Sequence, residues 1–156
     1  MACKPRQCGA CRVCCIAPNV PELSKPAYTA CEHLVPLRRK GGCGNYENRP
    51  SACSAFKCAW LERALPDGYR PDQCGVLVWG GPPTEWGQAL FALESQPGGF
   101  EQADAMLRGL AQTHVVVCTL RTGELVALAP NHLRDAAKKI IEKSLEKTQT
   151  PESGPV

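Results

Sequence analysis

Eleven cysteines occur in this 156-residue chain, and eight fall in one stretch as Cys8-x2-Cys11-x2-Cys14-Cys15 followed by Cys31, Cys43, Cys53 and Cys58. Thiolates are metal ligands, and a two-residue gap in a tight turn lets both sulfurs reach one ion at about 2.3 Å. Eight thiols suffice for two sites of four. The rival chemistry is a disulfide framework, which belongs to oxidising compartments. Residues Met1 to Cys8 show neither the charged n-region nor the apolar h-region of a secretory signal. An uneven total of eleven leaves a thiol over. The expectation is a cytoplasmic protein with reduced cysteines, and no run approaches the ~18 apolar residues of a membrane span.

Cys14 and Cys15 carry the most information. Adjacent side chains diverge, so the pair is expected to send one sulfur to each of two neighbouring centres rather than both to one tetrahedral ion. Spacing does not separate zinc from iron–sulfur, because all-thiolate sites suit both. The C-x2-C-x2-C run is similar to the start of a bacterial ferredoxin run, but Cys15 follows at once where a three-residue gap belongs. Cys118 lies in an apolar run and is expected in the core. Cys74, beside Gly75, is taken as a loop cysteine, and Cys3 stays open between ligand and bystander. His33 sits two residues after Cys31, but eight cysteines already fill two sites. His114 and His132 fall at element boundaries, and Tyr46 and Trp60 are expected to pack around the metal shell. Neither a P-loop nor a Rossmann glycine string is present.

Charge is uneven along the chain. Residues 1–58 hold nine Lys/Arg against three Asp/Glu, and residues 59–137 hold five against nine. A basic segment suggests nucleic acid. Eight bound thiolates, however, bring −8 and two divalent ions +4, so the loaded segment stands near +2 and the whole chain near −1. Arg12, Arg38, Arg39, Lys40 and Arg49 are therefore assigned as neighbours of anionic metal–sulfur centres, and no nucleic acid is expected on the metal-loaded form.

The elements that must hold these cysteines are unequal in kind. Pro5, Pro18, Pro21, Pro26 and Pro36 punctuate a ligand-bearing loop up to about Lys40. Gly42 and Gly44 flank Cys43. Arg49-Pro50 opens a helix expected to run through Ala52, Ala55, Phe56, Ala59, Trp60, Arg63 and Ala64. On an ideal helix Cys53 and Cys58 stand ~140° apart, so they do not share a face.

Regular structure follows: strands at Val76–Trp79 and Ala89–Leu93 joined by a Gly-Gly-Pro-Pro loop, a helix over residues 100–111, a hairpin of 115–120 and 125–129, and a last helix capped by Asn131. The fold class is α+β. A loop-rich, metal-stabilised cysteine module (residues 1–75) packs on a small support (76–147, ββαββα with an antiparallel sheet), and 148–156 is expected to be a disordered tail. In such a module metal substitutes for core, since a structural zinc supplies about 10–16 kcal/mol in small peptides.

Several features together resemble a known family. Cys8-x2-Cys11-x2-Cys14-Cys15 is followed by Cys31-x-His33-Leu34, Gly42-Cys43-Gly44-x-Tyr46-Glu47-x-Arg49-Pro50, Cys53-x2-Phe56-x-Cys58-x-Trp60-Leu61 and Arg70-Pro71-Asp72. Over about residues 8–79 this resembles the bacterial zinc- or iron-chelating cysteine-cluster family named for its CxxCxxCC motif. The resemblance implies eight metal ligands: Cys8, Cys11, Cys14, Cys15, Cys31, Cys43, Cys53 and Cys58. A distant, larger branch includes flagellin lysine methylases with an iron–sulfur cluster, and no matching cosubstrate segment is evident here.

Three functions remain. The first is an accessory, non-catalytic protein binding two Zn²⁺ ions or iron–sulfur clusters, with its second half offering a surface to a protein partner. The others are a redox-active iron–sulfur carrier or enzyme, and a metal storage or delivery protein.

Overall fold

The computed structural model describes residues 6–35 and 42–149. Arg38, Arg39 and Lys40, Cys3, and all but the first two residues of the expected tail lie outside the described residues.

The chain is α+β, built on a four-stranded sheet in the order β1 (Val76–Thr84), β2 (Gly87–Glu94), β3 (Val116–Thr119), β4 (Leu125–Leu128). The sheet is mixed rather than antiparallel. β1–β2 and β3–β4 are antiparallel hairpins, whereas β2 and β3 run parallel with Leu90 opposite Val116 and Leu93 opposite Thr119. The physical reason is the connection: a helical segment between β2 and β3 carries the chain back to the starting end of the sheet, as a parallel pair requires.

Among the described residues six α-helices accompany the sheet: α1 (Val13–Ile16), α2 (Ser51–Ala55), α3 (Pro71–Cys74), α4 (Gly99–Gln102), α5 (Asp104–Leu110) and α6 (Arg134–Gln149). Both faces of the sheet are covered. On one side Ala103, Met106 and Leu107, around α5, pack with Val76, Val78, Ala92, Val116 and Cys118. On the other, Ala136, Ala137 and Ile140 of α6 pack with Ala89, Phe91, Val115 and Val117. This two-sided burial explains why Val76-Leu77-Val78 is a continuous apolar run, with each residue 1% exposed.

The cysteine segment belongs to the first of these cores. Ala17, Cys58, Ala59, Trp60, Leu65 and Cys74 join the same cluster as the strands. The Ala59 amide donates to the Val78 carbonyl at 2.7 Å, so the outer edge of β1 is partly covered by the segment that carries Cys58. Tyr28 reaches the other end of the hairpin, its hydroxyl donating to the Glu94 carbonyl at 3.0 Å.

Local departures from expectation have identifiable causes. Gly80, Gly81, Pro82 and Pro83 continue β1, and the turn falls later, at Glu85-Trp86. Prolines are tolerated there because β1 is the edge strand, and the register shifts between Gly80 and Pro83. A Cβ on Gly81 would meet the Phe91 ring at 2.4 Å, so glycine lets that ring lie across the strand and stack on Trp79, centroids 5.8 Å apart.

The helix expected over residues 50–64 stops at Ala55. Phe56 is extended (φ −73°, ψ 126°), and residues 58–65 form turns with Arg63 at φ +65°. Bonding of Ala59 to the sheet edge outcompetes continuation of the helix. Asn131 does not cap α6: it begins a 3-10 turn, Asn131–Leu133, that leads into the helix. α6 itself extends through Gln149, two residues into the expected tail.

Candidate metal centre

The sequence around the first four cysteines folds into a turn and then a single helical turn. The Cys11 amide donates to the Cys8 carbonyl at 2.9 Å, with Gly9 at φ +55° making the bend. The loop expected to lack regular structure thus contains α1, on which Cys14 and Cys15 sit side by side. The Cys31 amide donates to the Cys15 carbonyl at 2.9 Å, joining the next ligand segment to α1. Cys43 pairs across an isolated bridge with Leu34, flanked by Val35 N–H to Gly42 O (3.1 Å) and Gly44 N–H to His33 O (2.7 Å). A Cβ on Gly42 would touch the Cys15 sulfur at 3.8 Å, so the Cys43 segment lies directly against α1.

The thiols act on one another electrostatically. Burial, then the charges of Cys58 and Cys15, push the Cys8 thiol up. Burial lifts Cys11 to about 11, with Cys8 contributing. Cys14 is raised strongly, first by its hydrogen bond with Cys15, then by burial and by the charges of Cys15, Cys8 and Cys11. Cys53 is raised by burial and by the charges of Cys15, Cys31 and Cys43. Cys15 thus acts on Cys8, Cys14 and Cys53 alike, while Cys58 reaches Cys8, and Cys31 and Cys43 reach Cys53.

Cys14 and Cys15 are strongly linked: pairing with the Cys14 thiol lowers Cys15 against the opposing effect of burial, helped by the charges of Lys25, Arg12 and Arg49. Cys53 lies on α2, and Cys58 lies beyond its end.

The thiols are gathered but not closed. Among the described residues, no three His, Cys, Asp or Glu side chains converge tightly enough to hold an ion as they stand. By type and number alone, eight cysteine donors would suffice for two four-thiolate sites. No disulfide links them: the described cysteines are free.

The remaining candidates separate cleanly. Cys74, at the end of α3, is buried with its thiol directed at the carbonyls of Val76 (3.4 Å) and Tyr69 (3.6 Å). Cys118 sits in β3 opposite Ala92, and burial lifts it to about 11. His33 lies 3.8 Å from the Glu32 carboxylate, and the Nδ1 of His114 pairs with the Thr113 hydroxyl. Trp60 is buried, with its indole N–H on the Asp67 carbonyl at 3.1 Å. Tyr46 does not shield a metal shell: it is 63% exposed and carries the Arg49 guanidinium 3.7 Å above its ring.

Three charged residues that the sequence did not single out organise the region. Arg6 donates to the carbonyls of Trp60 (2.5 Å) and Leu65 (2.7 Å) and to Asp67 (2.6 Å), fastening the chain two residues before Cys8. Lys25 is buried, under the influence of the thiols of Cys31, Cys15, Cys53 and Cys14. Glu22 caps α2 from 29 residues away, accepting from the Ser51 amide (3.1 Å), the Ser51 hydroxyl (2.7 Å) and the Ala52 amide (3.0 Å). None carries a local signal, because each partner is distant in sequence or a backbone carbonyl.

The cap makes a pH prediction. The Ser51 hydroxyl, then the Ala52 amide, hold the Glu22 carboxyl below its ordinary 4.5. A folded-state value below the unfolded one stabilises fully above about pH 4.5, and the contribution is lost as pH falls through the depressed folded value. Glu22→Gln should therefore narrow the gap to the parent at acid pH, read from urea midpoints between pH 6 and 3. An unchanged gap across that range contradicts the cap.

No family model, curated protein or solved structure matches this chain. Among the described residues no helix is long and apolar enough to cross a membrane.

Proposed function

We propose that the chain is a metal-binding protein whose eight cysteines hold two neighbouring four-thiolate centres, filled by Zn²⁺ or an iron–sulfur cluster, in a cytoplasmic, accessory and non-catalytic role. This reading places Cys8, Cys11, Cys14 and Cys58 in one centre and Cys15, Cys31, Cys43 and Cys53 in the other. It is carried by the packing of the Cys31 and Cys43 segments against α1. It is supported by the influence of Cys58 on Cys8, of Cys8 and Cys11 on Cys14, and of Cys31 and Cys43 on Cys53. The resemblance to the CxxCxxCC cysteine-cluster family supports the same ligand set. Bound metal would supply the closure that the thiols lack, and the second half would serve as a rigid support and partner surface.

A specific observation favours the redox reading as the alternative. The Leu61 amide donates to the Cys58 sulfur at 3.4 Å, and Arg12, Arg49 and Lys25 place positive charge near the thiols. N–H···S bonds and nearby cations tune cluster potentials and have no comparable redox role at zinc. Anaerobic purification, elemental analysis and visible spectra before and after dithionite distinguish the two. A colourless protein holding zinc supports the accessory role; a brown protein bleached by dithionite supports the redox role. Metal-free protein that takes up neither overturns both.

A further inference from the structure

Lys25 is the one charged residue that is buried among the described residues, at 5% exposure. An ammonium has three protons to donate. Nζ of Lys25 gives them to the carbonyls of Ile16 (2.9 Å), Pro18 (2.6 Å) and Pro26 (3.2 Å). The hydrogen bonds are satisfied, but the charge is not, because neutral carbonyls alone do not offset the cost of burying an ammonium. Burial pushes the Lys25 ammonium below its ordinary value, and the opposing influence comes from the thiols of Cys31, Cys15, Cys53 and Cys14. Four thiolates around one divalent ion carry a net charge of about −2, which is the counter-charge this burial lacks.

The carbonyls are also well placed to set geometry. Ile16 follows Cys15 directly, Pro18 lies on the chain leaving it, and Pro26 lies on the chain approaching Cys31. Paired backbone bonds between Val20 and Lys25 (2.9 and 3.1 Å) close the loop between them, and Ser24 turns it at φ +48°.

We infer that Lys25 is a positioning residue for the centre of Cys15, Cys31, Cys43 and Cys53, tying together the segments that bear Cys15 and Cys31 and serving as the internal counter-cation of the loaded site. The inference rests on the two-centre reading above and makes the centres unequal. The three bonds of Lys25 fall on the chain leaving Cys15 and the chain approaching Cys31, so the weakening is expected in the second centre.

The test uses the full chain loaded with zinc and titrated with a competing chelator, with the cysteines mapped by alkylation and mass spectrometry. In Lys25→Met, Cys15, Cys31, Cys43 and Cys53 should open to alkylation at about 10- to 100-fold lower chelator concentration than in the parent, the range expected for losing an outer-shell partner. Cys8, Cys11, Cys14 and Cys58 should be protected as before. Cys74 and Cys118, buried in the core, report on folding and should remain unreactive. Equal weakening of both sets, no weakening of either, or reaction of Cys118 each overturns the inference. A parent protein that protects neither set overturns the two-centre reading itself.

Discussion

Replacing Cys14 by serine is expected to empty the centre of Cys8, Cys11, Cys14 and Cys58 and leave the other filled, and replacing Cys15 is expected to do the reverse. Two adjacent residues thus give opposite maps of protected thiols after chelator challenge, and each variant retains about half the parent's metal. The stability effect should be among the largest available to a single substitution. Structural zinc contributes about 10–16 kcal/mol of apparent binding free energy in small peptides, against roughly 1 kcal/mol for an average point change. The segment carrying these thiols shares one hydrophobic cluster with the strands, through Ala17, Cys58, Ala59 and Trp60. Loss of a centre should therefore lower the melting temperature of the whole chain. If either variant kept both metals, the division at Cys14 and Cys15 would be wrong.

Leu77→Ala should produce the largest loss unconnected with metal. Leu77 is 1% exposed in β1, inside a sheet covered on both faces. Truncating a buried leucine costs about 2–5 kcal/mol, because transfer energy and an unfilled cavity add. For a chain of this length that corresponds to a drop of about 5–20 °C in melting temperature. Val126→Ala, at a position 40% exposed on β4, should change the stability by no more than about 0.5 kcal/mol. Calorimetry of the metal-loaded proteins compares the two, and similar losses would mean that the sheet is not the packed core described.

Much of the support was legible in the sequence because its signals are local. The β3–β4 hairpin follows from apolar runs around Thr122-Gly123, and Gly123 adopts φ +88°. Of the apolar positions of the last helix, Ala136, Ala137 and Ile140 pack on the sheet, whereas Leu145 is 46% exposed. The parallel pairing of β2 with β3 was not legible, since it depends on how the crossover returns, not on either strand alone. Nor was the end of α2 at Ala55: alanine-rich spacing favours a longer helix, and only the hydrogen bond from Ala59 to Val78 shows why the chain leaves it.

The site divides in the same way. Cysteine spacing singled out eight candidate thiols and set apart Cys118, which is buried in the core. Which thiols are neighbours was hidden, because Cys58 reaches Cys8 and Cys53 reaches Cys43 only through tertiary structure. Lys25 was hidden for a further reason. Its partners are carbonyls, which every residue carries, and a lysine between prolines looks like any solvated loop residue.

The central claim is two centres from eight thiols, and the most direct test is the metal-to-chain ratio of anaerobically purified protein measured together with the number of alkylation-protected cysteines. The account predicts two centres per chain and protection of Cys8, Cys11, Cys14, Cys15, Cys31, Cys43, Cys53 and Cys58, lost together on complete metal removal. A single centre, or metal bound while one set of four remains freely reactive, would contradict it.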